Sequence, residues 1–294
     1  MSTQEPRTKF KHFLVLGLIF AAIVGFQISI NESIVNPTLW QIIIIPVGDD
    51  SGYDMATLMY MSGSAITAFA SFVVAKRYVG SAMFTKAYFC LGIGFCFWFI
   101  GDNLFFYDAY VEELTPIRIP YIPGEDRSFI LKPADFVYLG IYPGMALHLY
   151  LNTNWFEKNK LKKLKKSAET KFFLFGVPII GAIIYFLQFD AVNADISGLE
   201  AINFESGFGA LNAVGASVTL GLVFWGARVF KASALAPAWT LLLLGLFFST
   251  IGDYLYYQVE QFNENYQIYS LSTTFYLLTF SILTYGLYKH TKIV

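Results

Sequence analysis

The sequence predicts an all-α membrane protein of about eight transmembrane helices, arranged as two parallel four-helix repeats. Three observations predict it. Hydrophobic residues fill 56% of 294 positions and charged residues only 14%, with a mean hydropathy of +0.53, whereas a soluble domain carries about 25% charge. Apolar runs recur at the ~20 residues that a helix needs to cross about 30 Å of hydrocarbon. A motif, I-G-D-x-L-[FY]-[FY], occurs twice, at 100–106 and 251–257, so its two aspartates lie 151 residues apart.

The apolar runs cover 13–30, 55–75, 88–110, 134–152, 172–190, 207–229, 236–258 and 268–288. They are read as helices because a backbone surrounded by lipid must satisfy its own hydrogen bonds. The run 41–46 is too short to span and is expected to be an interfacial or re-entrant turn. Basic residues set the orientation. Arg7, Lys9 and Lys11 precede the first run, Lys76, Arg77 and Lys86 flank the second connection, and seven lysines crowd 158–171. With Arg228, Lys231, Lys289 and Lys292, that puts 17 of 20 Lys and Arg on one side, against Arg118, Arg127 and Lys132 on the other. Only Glu5, Glu157 and Glu169 share the basic side. The alternation holds for an even number of spans in a cell membrane, with both termini cytoplasmic.

The repeat divides the chain. After the first I-G-D block comes Tyr138-Leu-Gly-Ile-Tyr142, then Leu149-Tyr150; after the second comes Tyr276-Leu-Leu-Thr-Phe280, then Leu287-Tyr288. Four spans per half make the halves enter the membrane in the same direction, related by an axis along its normal. The expected units are 1–155, a basic cytoplasmic linker at 156–170, and 171–294. The lysine run in that linker acts as a topology determinant. It also suits contact with anionic lipid at 158–171; a nucleic-acid partner is not expected.

Both carboxylates fall at one depth. Asp102 lies 16 residues beyond Lys86 and Asp253 lies 16 beyond Pro237, a rise of about 24 Å, in the outer part of the membrane. An Asp at mid-helix costs about 2.5–3.5 kcal/mol to insert, and no Lys or Arg lies in any span to pair with it. Partners must therefore be hydroxyls and amides. The candidate ligand-binding residues are Asp102, Asn103, Tyr107 and Tyr138 in the first half and Asp253, Tyr254 and Tyr257 in the second, with Tyr256 and Tyr276 as further partners. A packing role is the alternative, since Gly before Asp lets helices approach closely. Asp135, following Pro133 at the outer start of the fourth span, is a further candidate and also suits a first-turn carboxylate. His148 lies 13 residues beyond Asp135, about 20 Å deeper. It is expected as an interfacial polar residue above Asn152, out of easy reach of Asp102 unless Pro143 kinks the helix.

Other chemistry is excluded. Cys90 and Cys96 read as small core residues, and the three histidines lack metal-ligand spacing. There is no G-x-x-x-x-G-K nucleotide loop, and no lysine within a span to form a retinal Schiff base. No cofactor is expected.

Two resemblances follow from these residues. Gly101-Asp102, then Pro133-Ala134-Asp135, Tyr138-Leu139 and Tyr142, resemble the multi-pass N-terminal sensor region of prokaryotic membrane-bound signalling proteins of the diguanylate cyclase and PAS–histidine kinase type. Ser272 and Thr273 replace the Ala-Asp in the second half. That resemblance implies a sensor. Because no output domain follows the last span, it also implies a separate cytoplasmic output protein as partner. Asp102 with Ala146-Leu147-His148-Leu149-Tyr150 is similar to the lysoplasmalogenase-like family of eight-span lipid hydrolases, with Asp253 at its second acidic position, one residue inserted before the His, and its Lys-Pro missing. The expected function is a sensor or small-ligand-binding module with an outward-facing aromatic and Asp site. An intramembrane lipid hydrolase and a structural or assembly subunit are the alternatives.

Overall fold

The computed structural model describes residues 51–110, 117–120, 128–160, 168–192, 204–231, 236–262 and 266–293, with single residues between 15 and 23. Its helices are α1 (Ser51–Arg77), α2 (Ala82–Tyr110), α3 (Pro133–Tyr138), α4 (Ile141–Lys160), α5 (Ala168–Lys171), α6 (Val177–Val192), α7 (Phe204–Phe230), α8 (Ala236–Phe262) and α9 (Tyr266–Ile293). Most of the first predicted span, and all of 41–46, lie outside the described residues. One feature departs from an all-helical chain. β1 (Ile117–Pro120) and β2 (Ser128–Leu131) pair antiparallel, Ile117 opposite Leu131, in the connection after α2.

Three helices meet the length and hydropathy expected of a membrane span: Ala82–Asp108, Leu211–Phe230 and Ala236–Tyr256. The chain is therefore a helical, membrane-embedded protein, with three such spans among the described residues where eight were predicted. Helices α1 and α9 are as long, at 27 and 28 residues, but are richer in hydroxyls. Those hydroxyls cost little inside a helix because they bond their own backbone. Ser64, Thr67 and Ser71 donate to the carbonyls of Tyr60, Gly63 and Thr67, and Thr279 donates to that of Phe275. Hydropathy therefore understates how readily such a helix sits in an apolar bundle.

Two prolines explain the irregular helices. Pro143 has no N–H to give the carbonyl of Leu139, and the fourth span breaks there into α3 and α4 through a turn at Leu139–Gly140. Ahead of Pro178, residues Phe172–Gly176 form a π-helical turn closed by the Val177 N–H on the Phe172 carbonyl. The next carbonyl, Phe173, would need the N–H that Pro178 lacks. It lies instead against Gly221 of α7, where any Cβ would collide with it.

Neighbouring helices run α1, α2, α4, α7, α8, α9 and back to α1, with α6 against α7. The core inside this ring is apolar and aromatic: Tyr88, Leu91, Phe95, Leu242, Leu246 and Leu283 are almost fully buried. Large side chains such as Phe69, Phe89, Ile179 and Leu211 face outward, as lipid contact requires. Ile23 from the first apolar run joins a second cluster with Leu241, Leu277, Leu278 and Ile282.

Candidate functional site

The Gly and the Asp of each repeated block do one job together. A Cβ at Gly101 would sit 2.5 Å from the Tyr138 ring, and one at Gly252 would sit 2.7 Å from the Tyr276 ring. Each glycine is thus the seat across which a tyrosine from the following span lies flat. The next residue then accepts that tyrosine's hydroxyl: Tyr138 donates to Asp102 Oδ1 at 2.9 Å, and Tyr276 donates to Asp253 Oδ1 at 2.9 Å. A smaller acceptor would not reach, and a side chain in place of Gly would displace the ring.

The second aromatic of the Y-L-x-x-[YF] segment seats on the opposite half. Tyr142 packs on Gly215 of α7, and Phe280 packs on Gly63 of α1; a Cβ at either glycine would lie 2.5 or 2.6 Å from the ring. One substitution breaks the match. Tyr142 carries a hydroxyl that also donates to Asp253, whereas Phe280 has none to offer Asp102. There, Ser64 stands in, with Oγ 3.2 Å from Asp102 Oδ2, although the same hydroxyl lies 2.9 Å from the Tyr60 carbonyl. Tyr256 lies within electrostatic reach of both Tyr138 and Tyr276. Trp98 and Tyr60 set their rings edge-on to Tyr276, at 5.3 and 6.1 Å. The two carboxylates, on α2 and α8 at opposite positions of the ring, three helices apart either way round, are thus joined by one layer of hydroxyls and aromatic rings. Asp102 is buried and Asp253 half-buried.

The sequence-predicted residues divide. Asp102, Tyr138 and Asp253 come together in this layer. Asn103 turns back to its own helix, donating to the Phe99 carbonyl at 2.6 Å. Tyr254 pairs with Ser217 of α7, 2.6 Å between hydroxyls, beside Gly181. Tyr107 is exposed, and the side chain of Tyr257 lies outside the described residues. Asp135 caps the first turn of α3, accepting the Lys132 N–H at 2.8 Å, while Lys132 Nζ pairs with Asp108 at 2.6 Å. Ser64, Tyr142, Tyr60 and Trp98 were not among the predicted site residues. Tyr142 was visible in the repeated motif; Ser64 carries no motif at all.

His148, expected as an interfacial polar residue above Asn152, is fully buried within the helix ring, its Nδ1 3.1 Å from the Ala87 carbonyl and its ring stacked on Trp239 at 5.8 Å. Helix α4 continues to Lys160, beyond the end at 152 expected for the span, so His148 lies about 18 Å from the helix end. Among the described residues His148 and Asp102 share no hydrogen-bond partner.

No family model, curated protein or solved structure matches the chain. Among the described residues no cluster of three or more His, Cys, Asp or Glu is placed to hold a metal.

Proposed function

We propose that the protein is a sensor or small-ligand-binding module whose site is the Asp102–Asp253 layer, facing outward from the membrane. The observation that carries this reading is the pair of Gly-Asp/Tyr brackets. Two carboxyl groups are held in an aromatic layer, and among the described residues their hydrogen-bond partners are hydroxyls without positive charge. Carboxyl groups beside ring faces, with only hydroxyls as partners, suit a small apolar or weakly basic molecule whose cationic or polar end would meet carboxyl and tyrosine. In this reading eight spans form two parallel repeats with both termini cytoplasmic. The support is the pairing of Gly101 with Gly252, Gly63 with Gly215, and Tyr138 with Tyr276, each on equivalent spans. A separate cytoplasmic protein receives the signal, and the lysines of 158–171 rest on anionic headgroups.

The test is ligand-induced thermal stabilisation of the purified protein across a panel of amines and apolar small molecules. Asp102→Asn keeps an oxygen to accept the Tyr138 hydroxyl but removes the charge. It should abolish the stabilisation by basic members while leaving folded yield unchanged. Loss of folding would instead assign Asp102 to packing, and unchanged stabilisation would remove it from the site. Orientation has its own measurement. A single cysteine at Gly124 should react with an impermeant maleimide on intact cells, and one at Asn159 only after permeabilisation; the reverse pattern would invert the site.

A further inference from the structure

We propose that the basic end of the bundle encloses a second polar site, built around His148 and filled by ordered water, separate from the Asp–Tyr layer. Among the described residues, five buried side-chain atoms at this end have no hydrogen-bond partner: His148 Nε2, Asn152 Oδ1, Thr153 Oγ1, Trp225 Nε1 and Trp239 Nε1. They lie on α4 and on the basic ends of α7 and α8. Three of them are neighbours, since Trp239 stacks on His148 and Asn152 is one turn further along α4. Thr153 and Trp225 lie at the contact of α4 with α7, where Thr153 Oγ1 is 3.3 Å from where a Cβ on Gly226 would sit and the Trp225 ring is 6.1 Å from that of Tyr150. Left dry, each such atom forfeits its hydration, and five together would rival the net stability of a whole fold.

The chemistry of the set selects its occupant. Donation of the His148 Nδ1–H to the Ala87 carbonyl fixes the tautomer and leaves Nε2 a bare acceptor. Asn152 Oδ1 also accepts, and the Trp239 indole N–H only donates. Water satisfies both kinds of group in a small space. A metal cation does not fit the set. No carboxylate is among the described groups that act on His148 or His290, and a buried cation without a counter-charge is strongly disfavoured.

Beside the His148 ring, a hydrogen-bonded chain of Tyr88, His290 and Tyr78 leads toward the surface. The Tyr88 hydroxyl lies 3.2 Å from His290 Nδ1 and the Tyr78 hydroxyl 3.5 Å from the same atom. The Tyr88 ring lies edge-on to His148 at 4.9 Å, and Tyr78, just past the end of α1, is half-exposed. The site is also where equivalent positions of the two halves differ. Tyr88 answers to Trp239, 151 residues on, and Asn152 to His290, 138 residues on, whereas the Asp–Tyr brackets are the same in both. The apolar layer of Leu91, Phe95, Leu242 and Leu246 separates the two sites.

The experiment is solid-state NMR of the full chain in lipid bilayers with 15N-labelled histidine. His148 is isolated by using the His12→Gln, His290→Gln variant, since the chain has three histidines. The expected result is an Nδ1-protonated His148 ring with a water cross-peak at Nε2. Its ring N–H should exchange in D2O at least about tenfold faster than the Leu242 and Leu246 amides. Asn152→Leu in the otherwise native chain should weaken the water contact severalfold. Exchange as slow as those amides without a water cross-peak would overturn the proposal. So would a His148 shift that moves on adding a chelator, which would mean a metal occupies the site. If the double variant does not fold, the His148 resonance is assigned from its contact with a labelled Trp239 ring, and the same outcomes apply.

Discussion

Replacing Gly144 by alanine should cost about 3 kcal/mol, near the upper end for overpacking. A Cβ there would lie 2.5 Å from Gly94 Cα, 2.7 Å from Gly94 N and 2.8 Å from the Cys90 carbonyl. All three are backbone atoms of α2, so no rotamer can relieve the contact; α2 and α4 must separate. Small residues that let backbones touch are the main means of holding helices together in lipid, where burial of apolar surface gives no net drive. Separation would also pull Tyr138, at the end of α3 just before α4, off its seat on Gly101, so the loss should reach the Asp102 layer. Gly92→Ala is the graded comparison, because the nearest atoms its Cβ would meet belong to the ring of Phe72, a side chain that can swing. Gly80→Ala is the blank, with nothing within 4 Å, and should change stability by under about 0.5 kcal/mol. Reversible unfolding in mixed micelles gives the three values. Equal values for Gly144→Ala and Gly80→Ala would refute the close approach of α2 and α4.

The bracket residues were legible in the sequence because each of their motifs occurs twice. I-G-D and Y-L-x-x-[YF] each stand out against a background of interchangeable Leu, Ile and Phe. What could not be read was why each residue is there. The glycine reads as a generic helix contact, and only the tyrosine ring lying on it shows that Gly and Asp form one bracket. Ser64 was illegible for a different reason. A serine in a span that already bonds its own backbone gives no sign of a second acceptor on the next helix. The end of the fourth helix was not legible either, because α4 stays helical through Trp155 and Phe156 to Lys160, past the apolar run that ends at 152. The burial of His148 among aromatic rings from two other helices carries no sign in its own segment. Lysine stems reach toward water from a deeper backbone, so charge does not mark where a helix stops. The hydroxyls of α1 and α9 blur hydropathy in the same way, since a side chain bonded to its own helix counts as polar but behaves as nearly apolar.

Within one half, Asp102→Leu should cost about 2 kcal/mol, because it leaves the Tyr138 hydroxyl buried without its acceptor. Tyr138→Phe alone should cost about 1 kcal/mol, since Asp102 keeps Ser64 at 3.2 Å. The double substitution removes both ends of the bond and should cost little more than Asp102→Leu by itself, a coupling of about 1 kcal/mol. Asp253→Leu with Tyr276→Phe should behave alike, but Asp253→Leu alone should cost more than its counterpart, because Tyr142 also loses its acceptor. That asymmetry separates the bracket from simple side-chain bulk, which would affect the halves equally. Additive costs within a half would mean that the Tyr–Asp bonds contribute nothing to the fold. The cross pair, Asp102→Leu with Asp253→Leu, then asks whether the layer is one unit. Tyr256 is within reach of both tyrosines, so the two brackets should depart from additivity by about 0.5 kcal/mol, and Tyr256→Phe should erase that departure. A layer that responds as one unit across both halves is what a ligand bound between them would need in order to shift the helices together.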